Sequence, residues 1–304
     1  MDMGVNGWLE RPGAGNWWRG AGGVRAGWRL GLFLLLTAAF MLLAVSLARL
    51  VPRALVLSLM HDGALSPGFI MFNETLLLVP VALATLVMTS LEGRRFRSCG
   101  LGGQRRLARL AQGALAGLLF IGLLVALLVA TGHASLAWGG LGARGIAVFA
   151  LGWALASLLT GLAEEFCLRG YLLQVVSKGL GFWPALVVTS LLFGLLHISN
   201  HGEGGMGIAT AVMGGAIMAL GVRGTGALWW SIGMHSAWDY AENFLAGTPD
   251  SGQICLGTLL HFTPRGPAYL SGGTTGPEGS LLAVALLVPA LLLAWRAFTR
   301  PPGV

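Results

Sequence analysis

Of the 304 residues, 55% are hydrophobic and 10% charged, with a mean hydropathy of +0.76; a soluble domain carries roughly 25% charged residues, so that class is excluded. The net charge of +7 comes from eighteen arginines and Lys178, clustered between apolar runs where membrane topology and anionic headgroups explain them, and no nucleic-acid partner is expected. Cys99, Cys167 and Cys255 lack CxxC spacing and an even count, which indicates neither a disulfide framework nor a cysteine zinc site.

Residues 1–28 are rich in Gly, Trp and Arg, with Trp17, Trp18, Arg19, Arg25 and Trp28. They read as a cytosolic tail with interfacial aromatic anchors. The apolar run 30–47 is longer than the ~7–15 residues of a signal h-region, which makes it a retained first span. A short polar loop after Arg49 and Arg53 leads to a second span at about 70–91. Asn73 and Glu74 fall at its start, expected at headgroup level, where such a charge snorkels to water. Segment 92–110 holds six arginines, from Arg94 to Arg109, the strongest cytoplasmic marker in the chain.

A third span covers about 111–130, followed by a Gly-rich connector with His133 and Arg144. From 145 to 176 the chain is apolar for longer than one span requires, either one long tilted helix or two consecutive segments. A turn at 179–181 precedes a span at 182–198, and the loop SNHGEGG leads into another at 206–222. The chain turns at 223–226, returns through 228–245, and runs through a polar loop to a last span at 281–294, closed by Arg296 and Arg300. The fold class is therefore all-α, a polytopic membrane bundle of about eight transmembrane helices, with 29–300 as a single membrane domain. Both termini inside place fifteen of nineteen basic residues on the cytosolic side, as the positive-inside rule asks. That suits the plasma (inner) membrane of a prokaryote. The glycines suit close helix packing in lipid, and no repeat argues for an inverted-repeat transporter.

Three polar elements interrupt the apolar spans. In LAEEFCLRGYL, Glu165 and Arg169 stand four apart and can pair on one helix face. Glu164 lies about 100° further round, so one arginine does not easily serve both carboxylates. Ionisable groups at membrane depth mark functional sites by default. The second element is Phe193 to His197. In an antiparallel hairpin turning near Leu180, Glu164 and His197 sit level, each about 24–26 Å of helix from the turn. A carboxylate and an imidazole so placed could hold and deprotonate a water; alone, His197 reads as a helix-end cap. The third element is His235 to Asp239, four apart on one face, with Glu242 three further. Asp239 could orient the imidazole, and the pair could stabilise developing charge, or only hold the bundle together.

Glu164-Glu165 with Arg169, Phe193 with His197, and His235 with Asp239 resemble the motifs EExxxR, FxxxH and HxxxN/D. These belong to the CAAX-protease and bacteriocin-processing (abortive-infection) family. The resemblance covers about 158–245, within a family-like core at about 145–245, and says nothing about the first 110 residues. It implies an intramembrane glutamic endopeptidase acting on a membrane-embedded or lipidated peptide or protein. In that scheme Glu164 is the general base, His197 helps hold the water, and His235 with residue 239 stabilises the oxyanion. Glu165, Arg169 and Phe193 are structural or orienting. Asp239 departs from the Asn of the prenyl-protein endopeptidases, and an ionised carboxylate cannot donate to an oxyanion; the alternatives for it are a protonated carboxyl or an orienting partner of His235, which leaves a CAAX substrate open.

No cofactor is expected. Glu164, His197 and His235 have the His₂Glu composition of some zinc sites but lack HExxH spacing, so zinc ranks lower. Cys167, at i+3 from Glu164, has no activating base of its own. The other readings are a non-enzymatic scaffold or immunity protein and a proton-coupled transporter.

Overall fold

A computed structural model describes residues 19–20, 23–59, 64–200, 202–250 and 252–299. The tail anchors Trp17 and Trp18, His201 of the SNHGEGG loop and Arg300 lie outside them. The helices are α1 (Ala26–Ala48), α2 (Arg53–Leu59), α3 (Pro67–Leu91), α4 (Arg106–Ala130), α5 (Ala143–Glu165), α6 (Leu173–Leu180), α7 (Phe182–His197), α8 (Gly205–Thr225), α9 (Trp229–Tyr240), α10 (Ala268–Ser271) and α11 (Leu281–Thr299). Two antiparallel strand pairs accompany them: β1 (Arg19–Gly20) with β2 (Gly23–Val24), and β3 (Ala134–Trp138) with β4 (Leu260–Pro264).

Among the described residues, six helical stretches are long and apolar enough to cross a membrane: α1, α3, α4, the run from α5 to α6, α8 and α11. The 16 residues of α7 and the 12 of α9 are shorter. A π-helical turn, Ala241–Ala246, lengthens α9. Together they form the polytopic helical bundle. The long apolar stretch resolves as a single helical run of 38 residues. It passes from α5 into α6 through the π-helical Phe166–Leu172 and kinks at Gly170, whose ψ of −115° is not helical.

The polar connectors hold more structure than their composition suggests. α2 follows α1, and β3 pairs with β4 from Ala134↔Pro264 to Trp138↔Leu260, closing one end of the bundle. At that end Ser66 caps α3 by accepting the Phe69 N–H at 3.1 Å, with Pro67 at the first helical position, where its missing N–H costs nothing.

α9 is the central helix, packed by α4, α5 and α8. Its approach to α4 depends on glycine. A Cβ on Gly113 would lie 1.9 Å from the Trp230 carbonyl oxygen, and one on Gly233 would lie 2.0 Å from that of Leu110. Lipid gives helices no hydrophobic reason to associate, so small residues that let backbones touch supply the packing. This close contact holds the HxxxD face of α9 against α5.

Candidate active site

Glu164 and Glu165 end α5 where the helix passes into its π-helical turn, a local widening often found at functional sites. The turn keeps Arg169 beside Glu165: Arg169 Nη1 donates to Glu165 Oε1 at 2.9 Å, and both side chains are fully buried. The single arginine serves Glu165 and leaves Glu164 to a different environment, as the angular separation on the helix requires. Glu165 Oε1 also lies 3.1 Å from His235 Nδ1. A carboxylate can only accept, so Nδ1 carries the proton of that bond and Nε2 is the nitrogen left for other partners. His235 Nε2 stands 3.7 Å from Glu164 Oε2 and 3.8 Å from Asp239 Oδ1. These separations are too long for direct hydrogen bonds and suit a bridging molecule.

α7 supplies the opposite wall. His197 is its last residue, and its Nδ1 donates to the Phe193 carbonyl at 2.8 Å, so Nε2 is free to accept. The Phe193 ring meets both imidazoles edge-on, with centroids 4.6 Å from His197 and 5.7 Å from His235, and Arg169 Cζ sits 4.7 Å over its face. Phe193 therefore spaces the two histidines and covers the buried guanidinium. Glu165 Oε2, Arg169 Nε and Arg169 Nη2 are buried without a hydrogen-bond partner.

Glu164, His197, His235 and Asp239, from α5, α7 and α9, line one cavity of about 240 Å³. Glu165, Arg169 and Phe193 are buried outside its lining. Glu242 is buried with its Oε1 unpartnered and does not line the cavity. Cys99, Cys167 and Cys255 are free thiols, none lining the cavity, and Cys255 Sγ donates to Asn243 Oδ1 at 3.0 Å. Among the described residues no group of three or more His, Cys, Asp or Glu is arranged to hold a metal ion. Glu164, His197 and His235 share the cavity without forming such a group.

The lining also includes Asn73, Glu74, Asn200, Asn243, Asp250 and Gln253, none of which the motifs mark. Glu74 corrects the sequence reading. It does not snorkel to headgroups, because the first turns of α3 face inward and present Glu74 to the cavity, with its Oε2 buried and unpartnered. Asn243 had a usable signal, since it continues the 235, 239 spacing by one more helical turn. Asp250 and Gln253 are held by a tight turn in which each backbone N–H donates to the other's carbonyl at 2.9 Å. Burial pushes the Asp250 carboxyl up, against the lowering effect of a hydrogen bond with Asn243.

No curated protein matches the chain. A family model described as Type II CAAX prenyl endopeptidase Rce1-like matches residues 146–241, from α5 to the end of α9. The segment carrying EExxxR, FxxxH and HxxxD in order is thus the part of the chain that is similar to Rce1-like type II CAAX prenyl endopeptidases.

Proposed function

We propose that this integral membrane protein is an intramembrane endopeptidase in which Glu164 activates water to hydrolyse a peptide bond of a membrane-embedded or lipidated substrate. One observation carries the reading: Glu164, His197, His235 and Asp239 line a single cavity, inside the segment that matches the family. A water between Glu164 and His197 gives its proton to the glutamate while its oxygen attacks the scissile carbonyl carbon. His197, whose Nδ1 donates to the Phe193 carbonyl, presents Nε2 to accept a hydrogen bond from the water's remaining O–H. His235 in its imidazolium form donates through Nδ1 to Glu165 and offers Nε2–H to the oxyanion. Glu164 then returns the proton to the leaving amine nitrogen as the C–N bond breaks.

In this scheme Glu165 and Arg169 are positioning residues that fix the His235 ring. Asp239 stands where an amide would be a second donor. As a carboxyl group it donates only when protonated, and at 3.8 Å from Nε2 it reaches His235 only through a bridging molecule. No step is routed through a metal, so cleavage is expected to survive chelation. Activity lost on EDTA treatment and restored by zinc would replace this mechanism with a Glu164-His197-His235 metal site.

The test is to compare protein termini in membranes of cells carrying the wild type or Glu164→Gln, by mass spectrometry. Termini found only with the wild type are expected. Identical termini, with the Glu164→Gln chain complementing a null strain, would leave a scaffold or immunity protein as the reading.

A further inference from the structure

The cavity lies at one end of the bundle. α3 begins there, and Glu74 is seven residues, about 10 Å of helix, in from its start. α7 ends there with His197, and the connecting segments add Asn200, Asp250 and Gln253. The rim is stitched together by backbone bonds: Leu65 N–H donates to Ile254 at 2.7 Å, and Leu256 N–H donates to Leu65 at 2.8 Å. The β3–β4 pair closes the same end, since β3 follows the last turn of α4 and precedes the first turn of α5.

The basic residues gather at the other end. There stand Arg94, Arg95, Arg97 and Arg105 between α3 and α4, and Arg106 and Arg109 in the first turn of α4, joined by Lys178 at the end of α6, Arg223 near the end of α8 and Arg296 in the last turn of α11. The cavity end holds Arg49, Arg53, Arg144 and Arg265 among the described residues. Short loops rich in Lys and Arg stay in the cytoplasm. The charged side chains lining the cavity follow the same division, being Glu74, Glu164, Asp239 and Asp250 with no lysine or arginine.

We infer that the cavity opens on the extracytoplasmic side, and that the substrate is a segment of a membrane-anchored protein presented from that side. This rests on the endopeptidase reading for its chemistry and on charge and topology for its face. A cytosolic protein cut near its C-terminus would have to reach the site through the arginine-rich end, whereas a chain exposed outside meets the cavity end directly.

The face can be measured without any cleavage. Ile254 and Ser199 are exposed beside the rim, and Gln104 is exposed at the arginine-rich end. Ile254→Cys, Ser199→Cys and Gln104→Cys, each in a chain carrying Cys167→Ser, are treated with a charged, membrane-impermeant maleimide in intact cells and in inverted vesicles. At least tenfold more labelling of Ile254→Cys and Ser199→Cys than of Gln104→Cys is expected in intact cells, with the reverse in inverted vesicles. Labelling of Gln104→Cys from outside and of both rim reporters only in inverted vesicles would overturn the inference while leaving peptide hydrolysis untouched. In the wild-type and Glu164→Gln comparison, new termini should fall in extracytoplasmic segments; termini confined to cytoplasmic segments would also overturn it. Absence of any Glu164-dependent terminus would defeat the hydrolysis reading and leave the assigned face standing.

Discussion

Two glutamate–arginine clusters in this protein differ in a way that separates a clamp from a site. Glu92, just past the end of α3, accepts from Arg29 Nε at 2.7 Å, from Arg94 Nη1 at 3.0 Å and from the Tyr171 hydroxyl. Arg94 Nη2 donates onward to Gln174 Oε1 at 2.6 Å, and Gln174 Nε2 to the Ser98 carbonyl at 2.9 Å. The network ties α1 and α3 to the π-helical turn and α6, and both Glu92 oxygens are used. At Glu165 one oxygen takes both Arg169 and His235, while the other oxygen and two guanidinium nitrogens have no partner. Buried polar groups left bare are costly. Bringing such groups up behind a cavity wall is a poor way to build a clamp and a good way to hold an imidazole in a demanding orientation.

The largest effect expected is on chemistry. Glu164→Gln and His197→Ala should each lower cleavage by roughly 10²–10⁴-fold, the range of general acid–base catalysis, with the thermal transition in detergent unchanged. Retained proteolysis in either variant would remove the proposed roles. Next comes stability at the buried pair. Arg169→Leu should cost about 3–5 kcal/mol, because an unpaired carboxylate is left in a dry environment, read as a large loss of melting temperature. Glu92→Gln should cost less, on the order of 1–2 kcal/mol, since the amide keeps the shape and one acceptor while its other donors reach headgroup water. Equal losses in the two variants would erase the distinction between clamp and site.

That clamp carries a pH signature. Burial raises the Glu92 carboxyl, but hydrogen bonds from Tyr171 and Arg94 and the charge of Arg29 outweigh it and hold the group below its usual 4.5. A carboxyl depressed in the folded state contributes stability above its unfolded value and loses it as pH falls through the folded one. The stability gap between wild type and Glu92→Gln should therefore be constant near neutrality and close below about pH 4.5, as measured by melting across pH. A gap that widens on acidification would contradict the assigned network. Smaller again is substrate charge: with four carboxylates in the lining, a peptide amidated shortly after its scissile bond should be cut about tenfold better than the free acid, the effect of roughly 1.4 kcal/mol of repulsion. The smallest change expected is Cys167→Ser, which should leave kcat/KM within about threefold because the thiol does not line the cavity.

Much of this was legible in the chain. The apolar runs announce a membrane bundle because lipid demands internally bonded helices of sufficient length. The spacings of Glu165–Arg169 and His235–Asp239 state which side chains share a face, since helical periodicity is a local property. The level placement of Glu164 and His197 follows from counting residues to a turn. Glu74 was misread for the converse reason. Distance from a helix start gives depth along the helix, but says nothing about whether that turn meets headgroups or a neighbouring helix. The π-helical turn at Phe166–Leu172 and the kink at Gly170 were likewise invisible, because the segment holds no proline to mark a break in the helix.

The sequence by itself determined the solvent of this protein, the order of its helices, the basic end of its bundle and the residues that pair within one turn. Only the tertiary structure decided that α3 and the 250–253 turn contribute Glu74, Asn73, Asp250 and Gln253 to the same cavity as the three motifs. It also decided that His235 is held by Glu165 and not by its neighbour Glu164. Those outcomes depend on which faces of distant helices meet, and in lipid that is settled by close backbone contacts such as Gly113 against Trp230, which no single helix encodes.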